Sequence, residues 1–308
     1  MENSRRVTLQ QELVAKFGAS VKVDEPLAAH TSYKIGGPAF AWITPATSQE
    51  LSGVILWCID NEMRYFVMGG GSNVLCDSRG YEGVVIHLGA PAFRSIMFED
   101  DVCVAGGGAL LRNVVEESLD ASYCNLAYMG GIPGTLGGAV AMNAGTREHW
   151  VDSIVQRVEA VSLSSGELFN WAHDDVAWSY RSSSLRDAYI ITRVWLGPLV
   201  RGNVDEARAE MKRAFERRKA SQPLSLPNAG SVFKNPEGQS SGALIEGCGL
   251  KGYVFGGAQV SEKHANFIVN TGNASSDDVR SLVEHIQEEV YKRYGIKLQT
   301  EIRFLLNR

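Results

Sequence analysis

The sequence predicts an α+β protein in three parts: a helical lead over residues 1–31, a mixed domain over 32–200 and a second α+β domain over 201–308. Three observations point there. Between Ser32 and Leu199 strand-like runs dominate, and only 50–61 and 109–119 read as helices, so no regular βαβ alternation can be laid out. Two glycine-dense loops interrupt that region. After Leu199, Arg201, Gly202 and Asn203 break the strand pattern and a long amphipathic stretch begins. A chain of 308 residues suits two domains of roughly 100–200 residues each.

Taken in order, the first helix has Thr8 as its expected cap, with Leu9, Leu13, Val14 and Phe17 on one side. The apolar run 65–68 leads into the first glycine loop, and 83–88 follows it as a strand. The windows 155–163, 168–171 and 188–195 are rich in β-branched and aromatic residues, with turn breaks between them. Residues 204–220 form a helix with Val204, Ala207, Met211, Ala214 and Phe215 as its apolar stripe. Pro223 and Pro227 cannot continue it, because proline lacks the N–H and restricts the residue before it. A last helix starts at Ser275, whose partner Asp278 completes a capping box. Val279, Leu282, Val283, Ile286 and Val290 are its core face, and Gly295 ends it. A closing strand over 296–304 alternates Ile296, Leu298, Ile302 and Phe304 against Lys297, Gln299, Glu301 and Arg303.

Composition narrows the function classes. Hydrophobic content of 44% with 21% charged residues is that of an ordinary globular protein, and the net charge of −5 weighs against general nucleic-acid binding. No apolar run approaches the roughly 20 residues of a membrane span, and Met1 to Arg6 precede no signal-like segment, so a cytoplasmic protein is expected. The five cysteines (Cys58, Cys76, Cys103, Cys124 and Cys248) are scattered and never spaced as a metal pair. They read as small buried residues, and no metal site is expected.

The glycine loops carry the first chemical signal. Gly69, Gly70 and Gly71 are followed by Ser72 and Asn73. Three glycines in a row add nothing to packing, but they let a ligand approach the backbone and leave amides free to form an anion-binding nest. The second loop, Gly131, Ile132, Pro133, Gly134, Thr135, Leu136, Gly137 and Gly138, runs on to Asn143, Ala144 and Gly145. Two such loops favour a bound phosphate or pyrophosphate. The spacing suits neither a Rossmann fingerprint nor a P-loop: the segment after Asn73 is too short and turn-rich for the required helix, and no Lys-Ser or Lys-Thr follows a glycine pair.

Further motifs complete a series: Thr31 to Pro38 (Thr-Ser-Tyr-Lys-Ile-Gly-Gly-Pro), the two glycine loops, Tyr180 and Arg181 with Ser183, Asn228 to Pro236 around Ser231, Val260 to Asn270, and Glu301. From about Thr31 to Phe304 this set resembles the UDP-N-acetylenolpyruvoylglucosamine reductase family, in its shorter class without a tyrosine-bearing loop insertion. The resemblance implies a two-subdomain FAD-binding region of the vanillyl-alcohol-oxidase (PCMH) type, followed by a C-terminal α+β substrate-binding domain. It further implies non-covalent FAD, NADPH as hydride donor and UDP-N-acetylglucosamine enolpyruvate as substrate. Neither nucleic acid, membrane nor protein partner is implied. Residue by residue, Arg181 matches the catalytic arginine, Ser231 the serine that protonates carbon, and Glu301 the catalytic carboxylate. The resemblance assigns FAD to Gly69, Gly70, Gly71, Ser72, Asn73, Gly131, Ile132, Pro133, Gly134, Thr135, Gly138 and Asn143. It assigns the sugar nucleotide to Tyr180, Lys219, Lys234 and Asn235. Arg217 and Arg218, beside Lys219, read as a solvated helix face.

The chain departs from the family pattern at His30, at Thr146 to His149 after the Asn-Ala-Gly segment, and at Leu185. The second departure bears on the shape of the loop beyond the flavin site. Two other readings compete: a sugar or alcohol oxidase of the same flavin superfamily, and a non-catalytic nucleotide-binding regulator. Lacking the loop insertion, the third domain is expected to close as a body, hinging near 199–203 and 222–227.

Overall fold

The computed structural model describes residues 3–146 and 149–307. Its internal contacts gather into two units, each discontinuous along the chain. The first comprises Met1–Val23, Ala41–Gly70 and Gly83–Phe215; the second comprises Asp24–Phe40, Gly71–Glu82 and Glu216–Arg308.

The first unit opens with α1 (Asn3–Phe17), which buries Leu9 and Leu13 but leaves Val14 exposed. Thr8 lies inside this helix, not at its start. Its hydroxyl bonds back to the Ser4 carbonyl, a use of threonine that competes with capping and that composition alone does not separate from it. Strand Val21–Val23 pairs with Ala41 to Ile43, and Tyr65–Val67 runs parallel to Val84, Val85 and Ile86. Between them α2 (Ser48–Asp60), capped by the Thr47 hydroxyl, buries Leu51, Val54, Ile55 and Cys58. A five-stranded antiparallel sheet then forms in the order Ile96–Glu99, Val102–Gly106, Tyr189–Leu196, Val155–Ser162, Leu168–Ala172. Against it sit α3 (Leu111–Asp120) and α4 (Leu136–Ala141), and their Leu111, Val114, Val115, Leu136 and Val140 share one core with Val158, Ala160, Ile191 and Val194.

Helix α5 (Val204–Ser221) matches its expected range, yet its stripe fades: Ala207 is buried and Met211 packs on the core, whereas Phe215 is exposed. The expected pivot at 199–203 is tied down. Leu199 donates to the Asp101 carbonyl at 2.7 Å, Val200 to Asn125 Oδ1 at 2.9 Å, and the Arg201 guanidinium lies 4.6 Å from the Tyr123 ring centre. Flexible-looking Arg-Gly-Asn chemistry was overridden here by side-chain partners about 75 to 80 residues upstream.

The second unit is built around α7 (Ser276–Tyr294), which follows the short α6 (Ser241–Gly247) along the chain. The Ser275 cap, its Asp278 partner and the left-handed Gly295 all stand as expected, and all five core-face residues are buried. A small sheet, Val254–Phe255, Ala258–Val260 and Ile268–Asn270, joins this core, as do Tyr33, Ile35, Leu75 and Phe233. The closing strand is a correction. Only Arg303–Leu305 is strand, running parallel to Val74–Cys76, while 296–302 is irregular apart from a bridge between Thr300 and Phe233. The alternation that suggested nine strand residues reflects burial of Leu298 and Ile302, not continuous pairing.

Cys58, Cys76 and Cys103 are buried, and burial pushes each thiol up to about 12; Cys124 and Cys248 are half-buried. Among the described residues no helix is long and apolar enough to cross a membrane. The Asp278 carboxyl is held below its ordinary value, first by the backbone N–H of Ser275. A carboxyl depressed in the folded state stabilises above its unfolded value and loses that contribution as pH falls through the folded one. Asp278→Asn should therefore cost about 0.3–1 kcal/mol near neutrality. The gap to the parent should shrink below about pH 4, as read from denaturant midpoints across that range.

Candidate functional site

In the first unit the two glycine loops approach at backbone distance. A Cβ on Gly69 would fall 2.7 Å from Thr135 Oγ1, and one on Gly70 would fall 3.2 Å from Gly134 Cα. Thr135 is the cap of α4, its hydroxyl accepting from the Gly138 N–H. Ile132 closes the short turn before it through a bond to the Met129 carbonyl, while Gly134 takes φ +109. Among the described residues, the amides of Gly69, Gly70, Gly71, Ser72 and Asn73 donate to no protein acceptor. Free amides and absent side chains suit a phosphate-bearing cofactor.

Asn143, buried and left-handed, spends its amide on the protein. Its Oδ1 accepts from the Asp152 N–H at 3.1 Å and its Nδ2 donates to the Ser179 carbonyl at 3.3 Å. It thereby fixes the hairpin Trp178–Ser179 and Ser182–Ser183, whose turn carries Tyr180 and Arg181. Ser183 anchors the same hairpin to the end of α4 through the Ala141 carbonyl. Arg181 sits at φ +57, a region costly for a long side chain. Its guanidinium lies 5.7 Å from the Trp150 ring centre and 5.9 Å from that of Tyr180.

In the second unit, Gly71 (φ +62) backs onto the His30 carbonyl so closely that a Cβ would lie 2.0 Å from that oxygen. His30, one of the departures from the family pattern, pairs with Glu25 at 2.8 Å. Ser32 donates its N–H to the Gly71 carbonyl and its hydroxyl to the Asn228 carbonyl at 2.6 Å. Asn228 then shapes the turn to Ser231 by accepting from the Gly230 N–H. The segment beyond Ser231 is bridged to the one carrying Glu301: the Glu301 N–H donates to the Val232 carbonyl, and that of Lys234 to the Gln299 carbonyl, on either side of the Phe233–Thr300 bridge. Asn73 Nδ2 reaches the Glu301 carbonyl at 3.1 Å. Ser231 and Glu301, 70 positions apart in sequence, thus stand beside one isolated bridge, and the Ser231 hydroxyl has no partner among the described residues.

Lys234 and Asn235 hold the start of α6, which Ser240 caps: the Lys234 carbonyl accepts from the Ser241 hydroxyl and Asn235 Oδ1 from the Ser241 N–H, and Lys234 as a whole is half-buried. Lys219 is exposed in the last turn of α5, where its carbonyl accepts from the Lys263 ammonium. Arg218 differs from the solvated face expected of it. It is half-buried, bonds Gln222 Oε1 at 3.2 Å, has no carboxylate partner among the described residues, and burial lowers its pKa. The signal for it was weak: one arginine in a basic run. Trp150 was likewise missed, since a lone tryptophan in a loop declares no role. Arg147 and Glu148, within the unusual loop after Gly145, lie outside the described residues.

Comparisons with known proteins agree along the whole chain. A family model described as the UDP-N-acetylenolpyruvoylglucosamine reductase C-terminal domain matches residues 222–305, and one described as an FAD binding domain matches 40–171. A UDP-N-acetylenolpyruvoylglucosamine reductase from Heliobacterium modesticaldum is 41% identical over 296 residues, covering 96% of this chain and 93% of its own. One from Caldanaerobacter subterraneus is 39% identical over 284 residues, covering 92% and 93%. The crystal structure of the Thermus caldophilus reductase matches with a TM-score of 0.80 at 34% identity, over 93% of this chain and 100% of that one. A 4-ethylphenol oxidase from Gulosibacter chungangensis, 15% identical with a TM-score of 0.50 over 97% of this chain and 66% of its own, shares the fold alone. With curated relatives at this identity over nine-tenths of its length, the chain belongs to the UDP-N-acetylenolpyruvoylglucosamine reductase family.

Proposed function

We infer that this chain reduces the enolpyruvyl group of UDP-N-acetylglucosamine enolpyruvate to give UDP-N-acetylmuramate for peptidoglycan synthesis, using NADPH and FAD. The observation that carries this is the chain-long identity to reductases of that name, with Arg181, Ser231 and Glu301 all present. The reading places the protein in the cytoplasm and keeps residues 32–200 for FAD and 201–308 for substrate. Neither the oxidase nor the non-catalytic reading accounts for the Asn228 to Pro236 segment together with all three side chains. Loss of absorbance at 340 nm from NADPH, dependent on the enolpyruvyl sugar nucleotide, tests it directly; oxidation of NADPH that ignores this substrate would refute it.

FAD, when bound, supplies hydride transfer from NADPH to the enolpyruvyl double bond. Gly69 to Asn73 would hold its pyrophosphate through backbone amides, Gly131 to Thr135 with Gly138 would form the side-chain-poor wall facing them, and Asn143 would contribute by fixing the neighbouring arms. Arg181 meets the substrate carboxylate, where negative charge grows as the double bond is reduced; a guanidinium matches that planar group in two bonds. Ser231 gives the proton to the adjacent carbon. Its hydroxyl, without a partner among the described residues, is available for that transfer. Glu301 acts as the third catalytic group. Lys219, Lys234, Asn235 and Tyr180 bind the sugar nucleotide, and Arg218, a cation with no carboxylate partner among the described residues, favours an anion beside Lys219.

Two variants separate these roles. Gly70→Val should yield protein with little or no flavin, since even a Cβ there approaches Gly134 Cα to 3.2 Å; a parent-like ratio of 450 to 280 nm absorbance would contradict the cradle. Ser231→Ala should be bleached by NADPH at nearly the parent rate, yet be reoxidised by the enolpyruvyl substrate about 10²–10⁴-fold more slowly. Equal slowing of both half-reactions in a stopped-flow trace would show a misplaced flavin instead.

A further inference from the structure

The loop that departs from the family pattern brings Trp150 beside Arg181. Three independent ties build this arrangement. Trp150 forms a bridge with Gly145, where a Cβ would lie 2.9 Å from Trp150 Cε3 and 2.4 Å from the His149 carbonyl, so the turn needs glycine. Tyr128 donates its hydroxyl to the Trp150 carbonyl at 3.1 Å, and its ring meets that of His149 at 5.3 Å. Asn143 bonds Asp152 with one end of its amide and Ser179 with the other, locking the Trp150 arm to the Arg181 arm. At the meeting point the Trp150 and Tyr180 rings stand nearly perpendicular, at 79° and 5.5 Å between centres, and both lie within 6 Å of the Arg181 guanidinium carbon. An indole is the strongest aromatic partner for a cation, and it competes for none of the N–H donors a carboxylate needs.

We propose that Trp150 is a positioning residue for the reaction: with Tyr180 it forms an aromatic clamp that holds the Arg181 guanidinium oriented for the substrate carboxylate. The proposal rests on the role given to Arg181 above. It also accounts for the backbone at Arg181. A left-handed arginine has an unfavourable local conformation, and contacts at the far end of its side chain help to keep it there.

The test uses the full-length flavoprotein and two substitutions of similar bulk. Trp150→Phe keeps an aromatic face and should remain within about 2-fold of the parent in both half-reactions. Trp150→Leu keeps apolar bulk without the π face. It should retain its flavin and its reduction by NADPH, while reoxidation by the enolpyruvyl substrate slows roughly 2- to 30-fold. In an Arg181→Lys background the same Trp150→Leu change should add little further slowing, because the paired partner is already altered. Leucine and phenylalanine variants of equal activity would overturn the proposal, as would joint slowing of both half-reactions with loss of flavin, or full additivity with Arg181→Lys. If Arg181→Lys alone reoxidised as fast as the parent, the role of Arg181 would fall and this role for Trp150 with it. The two failures are therefore distinct.

Discussion

The second unit depends on one backbone approach, that of Gly71 to the His30 carbonyl. With no Cβ in the way, Ser32 can bond both the Gly71 and the Asn228 carbonyls, and the turn that carries Ser231 is set against the glycine loop. Asn73, two residues on, reaches the Glu301 carbonyl, and Arg303 bonds back to Asn73. Four segments, joined across 39, 196 and 228 positions, are thereby held in a common frame by main-chain groups and the Ser32 and Asn73 side chains. Such bonds fix register tightly, because each donor or acceptor left unmade in the interior is costly. Asn266 extends the frame: buried, it exchanges two bonds with Phe233 and accepts a third from Val232.

What was legible in the sequence was what local chemistry determines. The last helix could be read to the residue because its signals, Ser275, Asp278 and Gly295, act within one turn of its ends. The closing strand could not, since its partner at Val74–Cys76 lies more than 220 positions away and an alternating burial pattern does not reveal a missing ladder. Helix α4 was hidden by its own composition. Leu-Gly-Gly-Ala-Val-Ala has weak helical preference, and the helix exists because Thr135 caps it and its apolar side chains join the sheet core. Thr8 illustrates the reverse error, a good cap residue used inside a helix.

The site divides along the same line. Arg181, Ser231 and Glu301 are proposed from the order of their motifs, not from any property of the residues taken singly. Geometry adds what motif order lacks: the bridge that sets Ser231 beside Glu301, the two-armed tie of Asn143, and the half-buried Arg218. These depend on tertiary neighbours, so no window of sequence contains them. Of the five cysteines read as buried, Cys58, Cys76 and Cys103 belong with the legible part, whereas Cys124 and Cys248 are half-buried, because scattered thiols do not show how completely their neighbours cover them.

The left-handed backbone of Arg181 has a consequence for anyone selecting more robust versions of this protein. At that position glycine or asparagine would relax the chain, and a screen that rewards heat resistance alone would drift toward them. On the role proposed for Arg181, the survivors would fold better and turn over nothing. Stabilisation campaigns should therefore exempt the hairpin tip and spend their changes on exposed helical positions such as Phe215, where no catalytic demand competes with folding.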